Sequence, residues 1–281
     1  MEKINKSKEL RSLIFSGKTL IVPDAYDPIS ARLIEKSGFK VVQCSGYSFS
    51  IVEVRKKEID ISRQENVQIT SKIVNAVNIP VMADAEDGYG NNEVVADTVD
   101  MFLEVGVAGL NIEDQNLSTG KSISIINEEL MVEKIFNARE AAERRENKDF
   151  IINGRTDALK STEDREKALN IAVERANLYL KCGADITFAA YVENLDEVET
   201  LKKEVKGPIS IAAGMPYNIN NFSIGDLERI GVARVSLPTL LIYSSLKSMD
   251  RSLNLIKNDD IMGMDDSLLY GVDGLKQILK K

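Results

Sequence analysis

Residues 79–91, IPVMADAEDGYGN, hold a short apolar run that stops at acidic residues and then at glycines. A run of that length, bounded by turn residues, reads as a buried strand. It is placed over 79–83, with Asp84 to Gly90 as its exit loop. Just downstream, Val95, Val99, Phe102 and Leu103 recur at i, i+4, i+7 and i+8, the spacing of one helical face. Strand, polar loop and amphipathic helix in that order make one step of a parallel sheet.

The same unit recurs along the chain. Apolar runs stand at 20–22, 40–43, 79–83, 109–112, 150–152, 186–188, 209–212 and 233–237, with helical patterns between them. Eight such units predict a (β/α)8 TIM barrel. Four units close alike, with SGF, VGVAG, CGAD and IGVAR just before a strand. In each, a glycine stands where a helix ends and the backbone turns left-handed. No Pro/Ser-rich linker divides the 281 residues, so residues 1–281 are read as a single barrel domain. GVDGLKQILKK, at 271–281, reads as a short helical extension.

Composition narrows the chemistry. The chain has no His, which excludes Ser-His-Asp and Cys-His nucleophiles and HExxH zinc sites. Acid–base work falls to carboxylates, Lys, Tyr, Cys or water. Cys44 and Cys182 form no CxxC, which suits a reducing compartment. The N-terminal segment MEKINKSKELRSL has no apolar core of a secretory signal, and no run approaches a membrane span, so a cytoplasmic protein is expected. Lys plus Arg is 36 and Asp plus Glu is 44, a net charge of −8, which argues against a nucleic-acid surface.

The polar residues follow the strands: PDAYD at 23–27, SGY at 45–47, DAEDGYG at 84–90, IEDQ at 112–115 and GRTDA at 154–158. In a (β/α)8 barrel those strand ends form the active face. Asp84 and Glu86 sit two apart at the end of the third strand, where i and i+2 point the same way, so both can face the mouth, and Glu113, with Asp114 beside it, ends the next strand. Carboxylates so gathered require a divalent ion, an Arg partner or raised pKa values. If an ion, oxygen-only ligands select Mg2+ or Mn2+ over zinc. Arg155 offers a planar fork to a carboxylate, either the substrate's or that of Asp157 or Glu113. Ser45-Gly46-Tyr47 reads as an anion cradle or as an ordinary βα turn. Tyr47 is either a hydroxyl donor or a packed ring, and Lys121 belongs either to a lid over the site or to a solvated loop.

SGY, DAEDGYGN, GLNIEDQ, GRTDA and CGAD, in this order and spacing, resemble the isocitrate lyase / phosphoenolpyruvate mutase superfamily over residues 24–248. The resemblance implies a (β/α)8 barrel whose eighth helix is exchanged between subunits of a homodimer or homotetramer. It implies Mg2+ held at Asp84, Glu86 and Glu113, partly through water, and a substrate carboxylate bound by Ser45, Gly46, Tyr47 and Arg155. It implies a reaction at a C–C or P–C bond of a small 2-oxo or 2-hydroxy acid, through a metal-stabilised enolate.

The departures from the family pattern carry information too. The lyases for isocitrate and methylisocitrate have Lys-x-Cys-Gly-His after the IEDQ-like motif. Here that region reads NLSTGKSISII, and Lys121 falls about where the Cys would. The phosphonate-forming mutases have Glu-Asp-Lys where this chain has EDQ. A further acidic family position falls near Glu58, and a late one, often His or Glu, falls at Ala190. The expectation is a Mg2+-dependent C–C lyase or oxaloacetate-type decarboxylase, with Arg155, Tyr47 and Lys121 as catalytic groups. The alternatives are a P–C mutase or hydrolase and a non-catalytic metal–dicarboxylate binder.

Overall fold

The computed structural model describes residues 5–116, 124–265 and 267–280. Its eight strands are β1 (Leu20–Ala25), β2 (Val42–Cys44), β3 (Val81–Asp84), β4 (Gly109–Glu113), β5 (Ile151–Thr156), β6 (Ile186–Ala189), β7 (Ile209–Ala212) and β8 (Arg234–Leu237). Each pairs in parallel with the next, and β8 returns to β1 through Leu20 opposite Arg234, so the sheet closes into a (β/α)8 barrel. The described helices are α1 (Lys6–Ile14), α2 (Pro28–Lys36), α3 (Gly46–Val52), α4 (Arg63–Ala76), α5 (Asn92–Val105) and α6 (Glu128–Arg144). They continue as α7 (Arg165–Lys181), α8 (Leu195–Glu204), α9 (Ile224–Ile230), α10 (Leu240–Lys257) and α11 (Val272–Leu279).

Local chemistry punctuates the chain. Asp27, Asn91, Asn127 and Asn194 each accept a hydrogen bond from a backbone N–H in the first turn of α2, α5, α6 and α8. The glycines expected to end helices, Gly38, Gly106, Gly183 and Gly231, all have positive φ. Several strands run further than their apolar segments. Asp84 pairs with Asn111 and Glu113 with Arg155 inside the ladder. Ladder hydrogen bonds involve only backbone groups, so a polar side chain does not end a strand.

The barrel interior is layered. At its N-terminal end, α1 inserts Leu10 and Ile14 against Leu20, Val22, Met82, Ile151 and Ile186. Above this apolar floor lies a polar belt. Fully buried Arg234 donates to Ser210 Oγ at 2.7 Å and to Gln43 Oε1. The Gln43 amide donates to the carbonyls of Met82 and Ala83, and Asn153 donates to Asn111 Oδ1 at 2.8 Å. Burial pulls the Arg234 guanidinium down to about 10, against the pull of Asp24 and Asp84.

Two helices stand apart from the ring. α10 buries only Ile242 and leaves Tyr243, Leu246, Met249, Leu253 and Ile256 exposed. α11 lies against α2, where Arg32 donates from Nε to the Ile278 carbonyl at 2.9 Å and from a terminal nitrogen to that of Lys280. Among the described residues no helix is long and apolar enough to cross a membrane.

Candidate active site

At the C-terminal ends of the strands is a cavity of about 380 Å³. Its lining includes Asp24 of β1, Ser45 and Tyr47 after β2, Glu58, Asp84 of β3 and Arg155 of β5. This is the rim that the polar strand endings predicted. The backbone is strained around it: Glu86, Tyr89, Tyr191 and Thr239, all just past strand ends, have φ between 50° and 64°. Such conformations persist only where surrounding packing enforces them, and they cluster at working sites.

β3 ends at Asp84, so Glu86 is not carried to the rim by strand alternation. Its left-handed backbone turns it instead, and its N–H donates to Asp84 Oδ1 at 3.4 Å. The Glu86 side chain crosses Gly46, where a Cβ would stand 1.5 Å from Glu86 Oε1. The Gly46 N–H donates to Asp84 Oδ2 at 3.3 Å. Expected to face a substrate, this amide is instead directed at a carboxylate of the protein. Ser45 caps α3, accepting from the Ser48 N–H at 3.4 Å, which leaves its own proton available to a ligand. Tyr47 is not a core ring: it is 42% exposed, and its hydroxyl accepts from that of Tyr243 at 3.3 Å.

Arg155 makes both of the protein ion pairs considered for it. Nε and a terminal nitrogen grip Asp157 at 2.8 and 3.0 Å, while the other terminal nitrogen lies 2.6 Å from Glu113 Oε2. That last contact is ionic without hydrogen-bond geometry, so Glu113 Oε2 remains an orphaned buried acceptor. Asp24 Oδ1 is another. Burial raises the carboxyls of Asp24, Asp84, Glu86 and Glu113 above the ordinary range, and neighbouring acids add to it at Asp24, Glu86 and Glu113. Half-buried Glu58 is pushed up to about 7 by desolvation and by Asp84, against the pull of Arg155.

Asp114, beside Glu113, has a different part. Fully buried, it accepts from Tyr179 Oη at 2.6 Å, Thr156 Oγ1 at 2.8 Å, and the Asp157 N–H and an Arg175 nitrogen at 2.9 Å. It fixes the end of β5 and so aims Asp157 at Arg155. Lys121 lies outside the described residues. Sequence reasoning passed over Asn218, whose amide ties the Val192 and Ala212 carbonyls at 2.9 Å each and accepts from the Met215 N–H. It had no motif to announce it.

Among the described residues no three acidic side chains come close enough together to enclose a metal ion. Mg2+ keeps much of its water and takes only one or two protein carboxylates directly. An all-oxygen donor set with an orphaned acceptor at Glu113 Oε2 suits that mode of binding.

Fold and site together define a (β/α)8 barrel with a buried acidic rim braced by one guanidinium. The chain belongs to the phosphoenolpyruvate phosphomutase family, whose model matches residues 10–257. It is 31% identical over 265 residues to 2,3-dimethylmalate lyase of Eubacterium barkeri, covering 92% of this chain and 88% of that protein. It is 26% identical to an oxaloacetate decarboxylase of Bradyrhizobium sp. (strain ORS 278), covering 87% and 85%. A phosphonopyruvate hydrolase solved with oxalate and Mg2+ shares the fold, with a TM-score of 0.85, 23% identity and coverage of 98% and 95%.

Proposed function

We propose that this protein is a Mg2+-dependent enzyme that cleaves a C–C bond of a small 2-oxo or 2-hydroxy carboxylic acid. The observation that carries the reading is an excess of carboxyl groups over cations at and beside the cavity. Asp24, Glu58 and Asp84 line the cavity with Arg155, and behind them Glu86, Glu113 and Asp157 outnumber Arg234 and Lys134. Once ionised, such a site repels a carboxylate substrate unless a cation reverses its sign. Asp84, Glu86 and Glu113 would hold the ion, partly through water, with Glu58 beside them. When bound, the ion supplies positive charge to an oxyanion developing on the 2-oxygen.

The chain's own groups do the rest. Arg155, which lines the cavity, has N–H donors left beyond the two given to Asp157, and these are available to a carboxylate. The Ser45 hydroxyl, at the end of β2, adds a donor. Tyr47, at the mouth, or Lys121 shields or supplies the proton taken up by the departing fragment. The comparisons support this chemistry, since relatives matched over most of the chain carry the names of C–C lyases and decarboxylases. A second copy of the chain would cover the exposed apolar row of α10, giving a homodimer or homotetramer.

The test is a Mg2+-dependent panel of 2-oxo and 2-hydroxy di- and tricarboxylates together with phosphonopyruvate, following pyruvate, glyoxylate and phosphate. Release of a 2-oxo acid that is lost in Asp84→Ala is expected. Phosphate release alone would select P–C cleavage instead.

A further inference from the structure

We propose that Asn66, Thr98 and Lys134 are positioning residues, which hold the loop after β3 in the shape that Mg2+ requires. The inference rests on the metal reading above and deepens it by naming what keeps Asp84 and Glu86 in place. Five consecutive carbonyls of that loop each accept a hydrogen bond. The Asp84 carbonyl accepts from Asn66 Nδ2 at 2.9 Å, the Asp87 carbonyl from Lys134 Nζ at 2.6 Å, and the Gly88 carbonyl from Thr98 Oγ1 at 3.1 Å. The Ala85 carbonyl accepts from the Gly88 N–H at 2.8 Å, and the Glu86 carbonyl from the Glu113 N–H at 2.9 Å. The three side chains come from α4, α5 and α6, and none is more than 2% exposed.

The loop needs holding. Glu86 and Tyr89 have φ of 50° and 64°, a conformation that a residue with a side chain keeps only under constraint. Asn66 spans both of them, because its amide donates to Tyr89 Oη at 2.7 Å as well as to the Asp84 carbonyl. Thr70 sets the orientation of that amide by donating to Asn66 Oδ1 at 3.2 Å. Gly88 lies so close to α5 that a Cβ would stand 2.4 Å from Val95 Cγ2. Lys134 carries the strongest hint of a purpose beyond packing. Burying an ammonium is costly, and a methionine would fill the same space without that cost. The three side chains stand outside the cavity lining and act through Asp84 and Glu86. Mg2+ demands a near-ideal octahedron, whereas Ca2+ accepts flexible coordination. A frame that fixes the acids therefore matters to Mg2+ and much less to Ca2+.

The test reads ion preference, which a purely structural role would not move. Calorimetry would measure Mg2+ and Ca2+ binding to the wild type and to Asn66→Leu, Lys134→Met and Thr98→Val, with melting temperatures taken on the same samples. Each substitution keeps the side chain's size and removes the donor. Mg2+ affinity should fall about tenfold or more and Ca2+ affinity no more than about twofold, narrowing the preference for Mg2+. Thr98→Val exchanges a single hydroxyl for a methyl group and keeps the test decisive if the other two variants fail to fold. Folded variants with an unchanged preference and only a lower Tm would overturn the inference and leave the metal reading standing. A wild type that binds no Mg2+ would overturn both.

Discussion

The Glu86 carboxylate passes over the Cα of Gly46, close enough that a methyl group there would overlap its Oε1 at 1.5 Å. One residue follows β2 and the other follows β3, so the missing side chain of the first makes room for the second. Gly46→Ala is therefore expected to displace Glu86 and to disturb the amide that holds Asp84. We expect overpacking to cost about 1–3 kcal/mol of stability. Mg2+-dependent kcat/KM should fall at least tenfold, measured by denaturant melts alongside a Mg2+ titration.

Asp84 touches the cavity directly and gathers the Gly46 and Glu86 amides. Asp84→Asn keeps the shape and removes the charge. Activity should drop by two orders of magnitude or more, an effect of about 2.7–4 kcal/mol on the barrier. A chelator should abolish wild-type turnover, and added Mg2+ should restore it. Turnover that survives chelation would refute the metal assignment.

The buried acids make stability depend on pH in a stated direction. Asp24, Asp84, Glu86, Glu113 and Glu58 all have folded carboxyls above their unfolded values. A raised acid holds its proton more tightly in the folded chain than in the unfolded one. Its contribution is therefore present at low pH and is lost as pH rises from about 4 through the folded value, about 7 for Glu58. Metal-free protein should melt lower at pH 8 than at pH 6. Mg2+, which favours the ionised forms, should raise Tm more at pH 8, as differential scanning fluorimetry would record.

Asp114 should be a stability residue. Asp114→Ala leaves the Arg175 charge buried with its closest acid gone, at an expected cost on the order of 3–5 kcal/mol. Tyr179→Phe removes the hydrogen bond to the same carboxylate and the one its hydroxyl accepts from Arg175, and should cost about 1–3 kcal/mol. Urea midpoints of the two variants would give this ordering.

The exposed row on α10 yields a prediction about assembly. Met249→Glu combined with Leu253→Glu places charge within that apolar face. Sedimentation should show the wild type as an oligomer and the double variant as a monomer. A wild-type monomer would overturn the proposed second copy.

The barrel was legible in the sequence because its strands are short apolar runs and four helix ends carry a glycine that turns the backbone left-handed. The rim was legible because its acids follow those runs directly. Other features depended on closure. Arg234 stands in an apolar stretch, and nothing local tells that its partner is Gln43, 191 residues away. Gly46 reads as a place where backbone meets an anion, and the carboxylate that needs the space comes from another unit of the barrel. The reading of Glu86 by strand alternation missed its mechanism, because β3 ends two residues earlier and a left-handed turn redirects the side chain.

The belt of Gln43, Ser210, Arg234, Asn111 and Asn153 beneath the cavity restricts how this scaffold can diversify. Each member hydrogen-bonds another, so replacing one leaves a buried donor or acceptor without its partner. Adaptation by single steps is confined to the loops above. New floors for this barrel would have to arrive as several simultaneous exchanges.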